Sequence, residues 1–286
     1  MVSENGARVG LAYSARTPRF VDEHPGQIDY VEIPFELLRH NPGVLDIRSA
    51  LPVVMHCASL SIAGTVRPQP QVLEAVADWA DKTATPWIGE HLSFILAERE
   101  MGDPAADEYA PGEPWNIGYT VSPQMTHQTL ERIVAALAHA ESVLPVPLLL
   151  ENPPIYFDVP GSTMSQIEFI NELCAATDIG LLLDLAHFYI SARNRGEDPA
   201  DALIRFPLDR VVEVHVSGVD EQAGGIWDNH ASRAPQAELD LLATVVREAP
   251  VQAITLEYNW SARFPDQVLL AELSRVRDVL STAVPA

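Results

Sequence analysis

Eight short apolar runs recur along the chain, each built largely of aliphatic and β-branched residues. They are ARVGLAY (7–13), IDYVEI (28–33), LPVVMH (51–56), PWIGEH (86–91), VPLLLE (146–151), IGLLLD (179–184), RVVEVHV (210–216) and QAITLEY (252–258). Near-continuous apolar runs of this length read as strands covered on both faces, which is the signature of a parallel sheet. Amphipathic segments lie between them. In 72–80 Val72, Val76 and Trp79 share a face, and in 125–140 Leu130, Ile133, Val134 and Leu137 do so. A third runs from Ser162 to about Ala176 with Ile167, Ile170 and Leu173 in register, and further helices are expected after Arg233 and near Pro265. The crossovers after the first two runs are short.

Eight strand-plus-crossover units in 286 residues, roughly 36 each, match an eight-stranded β/α barrel, a TIM barrel of the xylose-isomerase-like kind. The alternative is a doubly wound open sheet. Its dinucleotide fingerprint is missing, since the turn after the first run reads YSARTPRF rather than a GxGxxG loop. No Gly/Ser linker or repeat divides the chain, so one catalytic domain over 1–286 is expected. One connection is long: Leu96 to Thr120 is rich in Asp, Glu, Pro and Gly, with Tyr109, Trp115 and Tyr119 interspersed. Following the fourth strand, it would form a lid over the C-terminal face; the alternative is a disordered surface insertion.

The runs end on chemistry. The third ends on His56, the fourth on His91, the fifth on Glu151 and the sixth on Asp184, while the seventh reaches His215 and the eighth Glu257. Barrel enzymes gather their reacting groups at these C-terminal strand ends. Two local motifs add ligands. In LLLDLAHF, Asp184 and His187 are three apart where a strand gives way to a loop or helix. In WDNHA, Asp228 and His230 are two apart, and alternate residues of an extended segment point the same way. The five histidines and four carboxylates exceed the four to six ligands of one ion and suit two or three.

Each of these residues also has a plainer reading. A single strand-end histidine is more often a hydrogen-bonded core residue than a ligand, and Glu151 alone could pair with an arginine. Taken together, however, four buried carboxylates repel one another unless cations neutralise them. The nearest basic residues in sequence are Arg193, Arg195 and Arg233. His24, His40, His127 and His139 lie off the strand ends and read as ordinary surface or packing residues. Cys57 should turn outward from His56 into the core, and Cys174 should pack in its helix.

Charge narrows the partners. The formal net charge is -22, with 18 Lys plus Arg, and Lys82 is the only lysine. Neither a phosphate-binding surface nor a polybasic membrane patch can be assembled from that supply, so no nucleic acid and no membrane is expected. The N-terminal MVSENGARVG has no apolar signal core, and a cytoplasmic protein is expected.

In succession, the motifs resemble the DUF692 family, the multinuclear non-heme iron-dependent oxidative enzymes that include methanobactin-biosynthesis-like peptide oxidases. The matching pieces are HCASLSI (56–62), GEHLSF (89–94), LENPPIYF (150–157), LLLDLAHFYISARNRG (181–196), VVEVHVSG (211–218), DNHA (228–231) and LEYNW (256–260). The resemblance implies two or three irons of mixed ferrous and ferric state. One would sit between His56, His91 and Glu151. A second would take Glu151 as a bridge with Asp184, His215 and Glu257, placing Glu151, Asp184 and His215 at the catalytic heart. The third would be held by His187, Asp228 and His230.

It also implies a ribosomally made precursor peptide as substrate, modified most often at Cys, with dioxygen as co-substrate. The substrate thiolate would bind ferric iron, and dioxygen would be activated at the ferrous neighbour for hydrogen abstraction beside sulfur. With the barrel using the whole length, a separate leader-peptide-recognition protein is expected. Trinuclear zinc apurinic endonucleases share nearly the same ligand order, but they need basic rims. A single-metal sugar isomerase or epimerase would use Glu151, Asp184, His215 and Glu257 and leave the other ligands unexplained. A non-catalytic metal module would close its site instead of opening toward a lid. Five imidazoles and four carboxylates suit zinc, manganese and iron alike.

Overall fold

All eight apolar runs pair edge to edge, in parallel, and the ring closes. The computed structural model of the chain describes residues 6–97, 114–259 and 264–283. Its first elements are β1 (Arg8–Ala12), α1 (Thr17–Glu23), β2 (Tyr30–Pro34), α2 (Phe35–His40), β3 (Val53–Cys57), α3 (Pro70–Thr83) and β4 (Ile88–His91). An excursion β5 (Phe94–Ala97) and β6 (Trp115–Val121) follows, then α4 (His127–Glu141), β7 (Leu148–Glu151), α5 (Gln166–Ala176) and β8 (Gly180–Asp184). The chain continues through α6 (Leu185–Asn194), α7 (Pro199–Leu203) and β9 (Val211–Ser217). A second excursion, β10 (Val219–Gln222) and β11 (Gly225–Asp228), precedes α8 (Gln236–Glu248), β12 (Ala253–Glu257) and α9 (Asp266–Ala283).

The closed barrel has the order β1-β12-β9-β8-β7-β4-β3-β2, each strand beside its neighbours in sequence once the two excursions are set aside. It is a (β/α)8 barrel. Period-two alternation sorts each strand. On β3, Val53, Met55 and Cys57 face the helices and join the main core, while Val54 and His56 face the barrel interior. The interior floor is apolar, made by Tyr30, Val54, Trp87, Leu149, Leu182 and Ala253. Above that floor the inward side chains turn polar. Gly89 leaves room there: a Cβ at this position would lie 2.8 Å from the His56 ring.

The helices follow the apolar periodicity with small shifts. The buried face of α3 is Leu73, Val76 and Ala80, so Val72 and Trp79 flank the expected stripe instead of centring it. Leu130 and Val134 likewise flank the buried Ile133 and Leu137 of α4. α5 starts at Gln166, not near Ser162, because Ser165 caps it: its hydroxyl accepts from the Glu168 amide while the Glu168 carboxylate accepts from the Ser165 amide. Cys57 and Cys174 are buried free thiols. No helix of the described residues is long and apolar enough to cross a membrane.

Both excursions are antiparallel hairpins leaving the C-terminal ends of barrel strands. The Leu96–Thr120 connection supplies the two arms of the first; residues 98–113, including Tyr109, lie outside the described residues. Tyr119 stands exposed on the second arm.

Candidate metal centre

The barrel strands and the segments that follow them bring the nine expected residues to one place, the C-terminal mouth of the barrel. His56, Glu151, Asp184, His187 and His215 are buried there, and His91, Asp228, His230 and Glu257 are partly buried. Glu151 lies at the middle. Its Oε2 is 2.9 Å from His56 Nε2 and 3.4 Å from His91 Nε2, while its Oε1 is 3.1 Å from His187 Nδ1. The two carboxylate oxygens thus face opposite sides of the mouth.

Asp184 ends β8 and caps α6, accepting the His187 amide at 2.6 Å on Oδ1. That cap fixes the three-residue spacing and leaves the other oxygen, Oδ2, 3.6 Å from His187 Nδ1. Asn152 ties the two strand ends together. Its side chain accepts the Asp184 amide and donates to the Asp184 carbonyl, both at 3.0 Å, and its own carbonyl lies 3.0 Å from His187 Nδ1. With Nδ1 so engaged, His187 Nε2 points to Asp228 Oδ2 at 3.6 Å.

Asp228 and His230 do meet, with Nε2 2.7 Å from Oδ2, but not along an extended segment. Asp228 is the last residue of β11, Asn229 accepts the Ala231 amide in a turn, and His230 takes a left-handed φ of 49°. The turn, not strand alternation, turns the imidazole back onto the carboxylate. On the far side, His215 Nδ1 lies 3.3 Å from Glu257 Oε2, and His230 Nε2 lies 3.8 Å from that same oxygen.

Among the described residues, every recorded ion-pair partner of Glu151, Asp184, Asp228 and Glu257 is a histidine. Arg233, one of the nearest basic residues in sequence, is committed to Glu272. Burial pushes the Asp184 carboxyl up to about 7. Burial opposes Glu151 too, but the charge of His91 and hydrogen bonds from His187 and His56 hold it well below the usual range. Burial would lower His56, yet its bond to Glu151 and the field of Glu32 raise it to about 10. His230 is raised to about 9 against its burial, by Asp228 and Glu257. His91 moves the other way, lowered by burial. Protons on these imidazoles balance the carboxylates in the absence of a cation, and a bound dication would replace them.

Four buried atoms of the nine residues have no well-aligned hydrogen bond: Asp184 Oδ2, His215 Nδ1, Asp228 Oδ1 and His230 Nε2. Orphaned donors of this kind, converging at a mouth, fit cations. Candidate groups include His56 with Glu151 and His215, Glu151 with Asp184 and His187, and His187 with Asp228 and His230.

A cavity of about 630 Å³ opens above these groups, lined also by Tyr119, Tyr156, Phe157 and Pro153. Tyr156 stacks on Trp227 of the second hairpin, ring centroids 4.7 Å apart. Two carboxylates reach the centre unanticipated. Glu32 Oε2 lies 3.0 Å from His215 Nε2, and Glu213 Oε1 lies 3.9 Å from it. Glu32 was legible by the strand-end rule, one residue short of the end of IDYVEI; Glu213 lies deeper, two residues before His215.

Fold and centre together define a (β/α)8 barrel that gathers histidines and carboxylates at its C-terminal mouth. The chain belongs to the RiPP precursor modification enzyme MbnB/TglH/ChrH family, which it matches over residues 8–281. A UPF0276 protein of Streptomyces avermitilis is 31% identical over 278 residues, covering 96% of this chain and 55% of that protein. The chain therefore spans about half the length of that relative. A UPF0276 protein of Caulobacter vibrioides is 29% identical over 277 residues, 94% of this chain and 93% of its own. Among solved structures, a 3-keto-D-glucoside 4-epimerase from E. coli superposes with a TM-score of 0.60 at 15% identity, over 95% of this chain and 99% of that one. Endonuclease IV from Thermus thermophilus gives 0.56 at 17% identity, over 96% and 99%. At such identities the likeness concerns the fold alone.

Proposed function

We propose that this chain is a multinuclear iron-dependent oxidative enzyme that uses dioxygen to modify a ribosomally made precursor peptide, at Cys, presented by a separate recognition protein. The observation that carries the reading is the convergence of five histidines and four carboxylates, in a chain of this family, where among the described residues the ion-pair partners of the four carboxylates are all histidines of the same set. One ion would take His56, His91 and Glu151; a second Glu151, Asp184, His215 and Glu257; a third His187, Asp228 and His230. The opposed oxygens of Glu151 suit a bridge between neighbouring ions. Iron, when bound, supplies Lewis acidity toward a substrate thiolate and one-electron reduction of dioxygen.

The protein's own share is positioning and exclusion. Asn152 and the Asp184 cap hold His187 in one ring orientation. Tyr119, Tyr156 and Phe157 rim the cavity and would pack against the peptide end, keeping water from the reacting carbon. The described arms of the first hairpin, Phe94–Ala97 and Trp115–Val121, would act as the lid.

Anaerobically purified protein should carry two to three irons, and His187→Ala, Asp228→Ala or His230→Ala should each lose about one. Glu151→Gln should lose more than any of these, because one side chain serves two ions. Given the cognate Cys peptide, its recognition protein and air, the iron-loaded enzyme should change the peptide mass, and Glu151→Gln should not. A single tightly bound ion, or an unaltered peptide with full iron and air, would sink the reading.

A further inference from the structure

Three strands stack two inward rungs beneath and within the centre. The lower rung is Tyr30 of β2, Glu213 of β9 and Thr255 of β12; the upper is Glu32, His215 and Glu257 from the same strands, each two residues further on. In the lower rung Tyr30 Oη and Thr255 Oγ1 are 2.6 Å apart, and Thr255 donates to Glu213 Oε1 at 2.8 Å. Trp87 Nε1 donates to the other oxygen of Glu213 at 2.6 Å. Both oxygens of Glu213 are thus engaged, and the 3.9 Å to His215 Nε2 is too long for a hydrogen bond. Glu32 Oε2, at 3.0 Å, is the acceptor in reach.

We propose that Glu32 is the positioning residue that makes His215 a metal ligand through Nδ1. An imidazole offers a lone pair at one nitrogen only when the other carries the proton. With a carboxylate 3.0 Å from Nε2, a proton there makes a charge-assisted bond, whereas a bare Nε2 would set lone pair against carboxylate. The proton on Nε2 therefore stays when a cation arrives, and the Nδ1 lone pair becomes available to a cation shared with Glu257, whose Oε2 is 3.3 Å from Nδ1. Nδ1 is one of the buried atoms without a well-aligned hydrogen bond, which suits a site kept for a cation. The lower rung acts as a footing, since Glu213 is pinned from below and cannot rise to compete with Glu32. This inference rests on the reading that the centre holds metal.

Zinc(II), a diamagnetic probe, can be titrated into metal-free protein against a chelator, with the ring nitrogens followed by long-range ¹H–¹⁵N NMR. Signals of His215 are assigned from the spectrum of H215Q. Wild-type protein should show His215 coordinated through Nδ1 with Nε2 protonated and protected from exchange. Glu32→Ala should bind zinc about 10–100-fold more weakly at one site and lose that protected proton. Glu32→Gln keeps the side chain's shape and an oxygen that can still accept from Nε2, so it should fold, with its melting temperature as the control. Its amide can either accept or donate, so both tautomers become available and affinity should fall by an intermediate factor, about tenfold. Zinc affinities within about twofold of wild type in both variants, with unchanged His215 signals, would overturn the proposal. So would coordination of wild-type His215 through Nε2. Wild-type protein that takes up no zinc would instead defeat the underlying metal reading.

Discussion

His56, raised to about 10, and His230, raised to about 9, hold protons at neutral pH although burial alone would strip them. An ordinary imidazole, at roughly 6.5, would be mostly neutral at pH 7.5. An incoming ion must therefore displace protons that the carboxylates have drawn onto the rings. The sign follows: as pH rises from 6 toward 9 the protons leave more readily, and apparent zinc affinity should increase. Binding at pH 7 should release protons, read by calorimetry in buffers of different ionisation enthalpy. Affinity that stays flat across this range, with no buffer dependence, contradicts the ion-pair geometry. At this scale the sequence was most informative where a titratable residue ended an apolar run, as at His56 and Glu151. Asn152 was less legible, because its side chain meets only the backbone of Asp184, and its contact to His187 uses a carbonyl that any residue type carries. Nothing in a one-dimensional pattern shows that β2 and β9 set Glu32 beside His215 across the barrel.

The loop that carries His230 is anchored by a neighbouring element, α9. Glu272, buried on that helix, receives Arg233 Nε at 2.5 Å, Arg275 Nη1 at 2.8 Å and the Ala234 amide at 3.3 Å. Tyr258 donates its hydroxyl to the same carboxylate at 3.4 Å. Removing the carboxylate leaves its donors without their shared acceptor, three residues or so beyond His230. Both guanidinium groups keep some solvent contact, which lowers the cost below that of a fully buried pair. Glu272→Ala should therefore destabilise the fold by about 2 kcal/mol in denaturant titration. It should also weaken retention of the ion proposed for His187, Asp228 and His230. Unchanged stability together with unchanged metal content would show that α9 does not brace this loop. The element pattern of strands and crossovers was readable because burial on both faces forces apolar runs. The β10–β11 hairpin was not, since Val219–Gln222 and Gly225–Asp228 are short, polar and paired only with each other.

Across the whole molecule, charge decides between barrels of similar shape. With a net charge of -22, this chain repels a phosphate backbone at any distance where salt does not screen it. Incubation with DNA containing an abasic site should give no strand cleavage, with zinc or with iron. Cleavage that Glu151→Gln abolishes would overturn the oxidative reading in favour of a nuclease. The apolar floor of Tyr30, Val54, Trp87, Leu149, Leu182 and Ala253 carries a consequence of its own. It plugs the barrel below the centre, which leaves the mouth as the doorway among the described residues. Substrate arrival, product departure and any exchange of bound ions must use that doorway one at a time. A seated peptide would then be a cork: while it stays, the centre it reacts with is sealed against chelators and solvent alike.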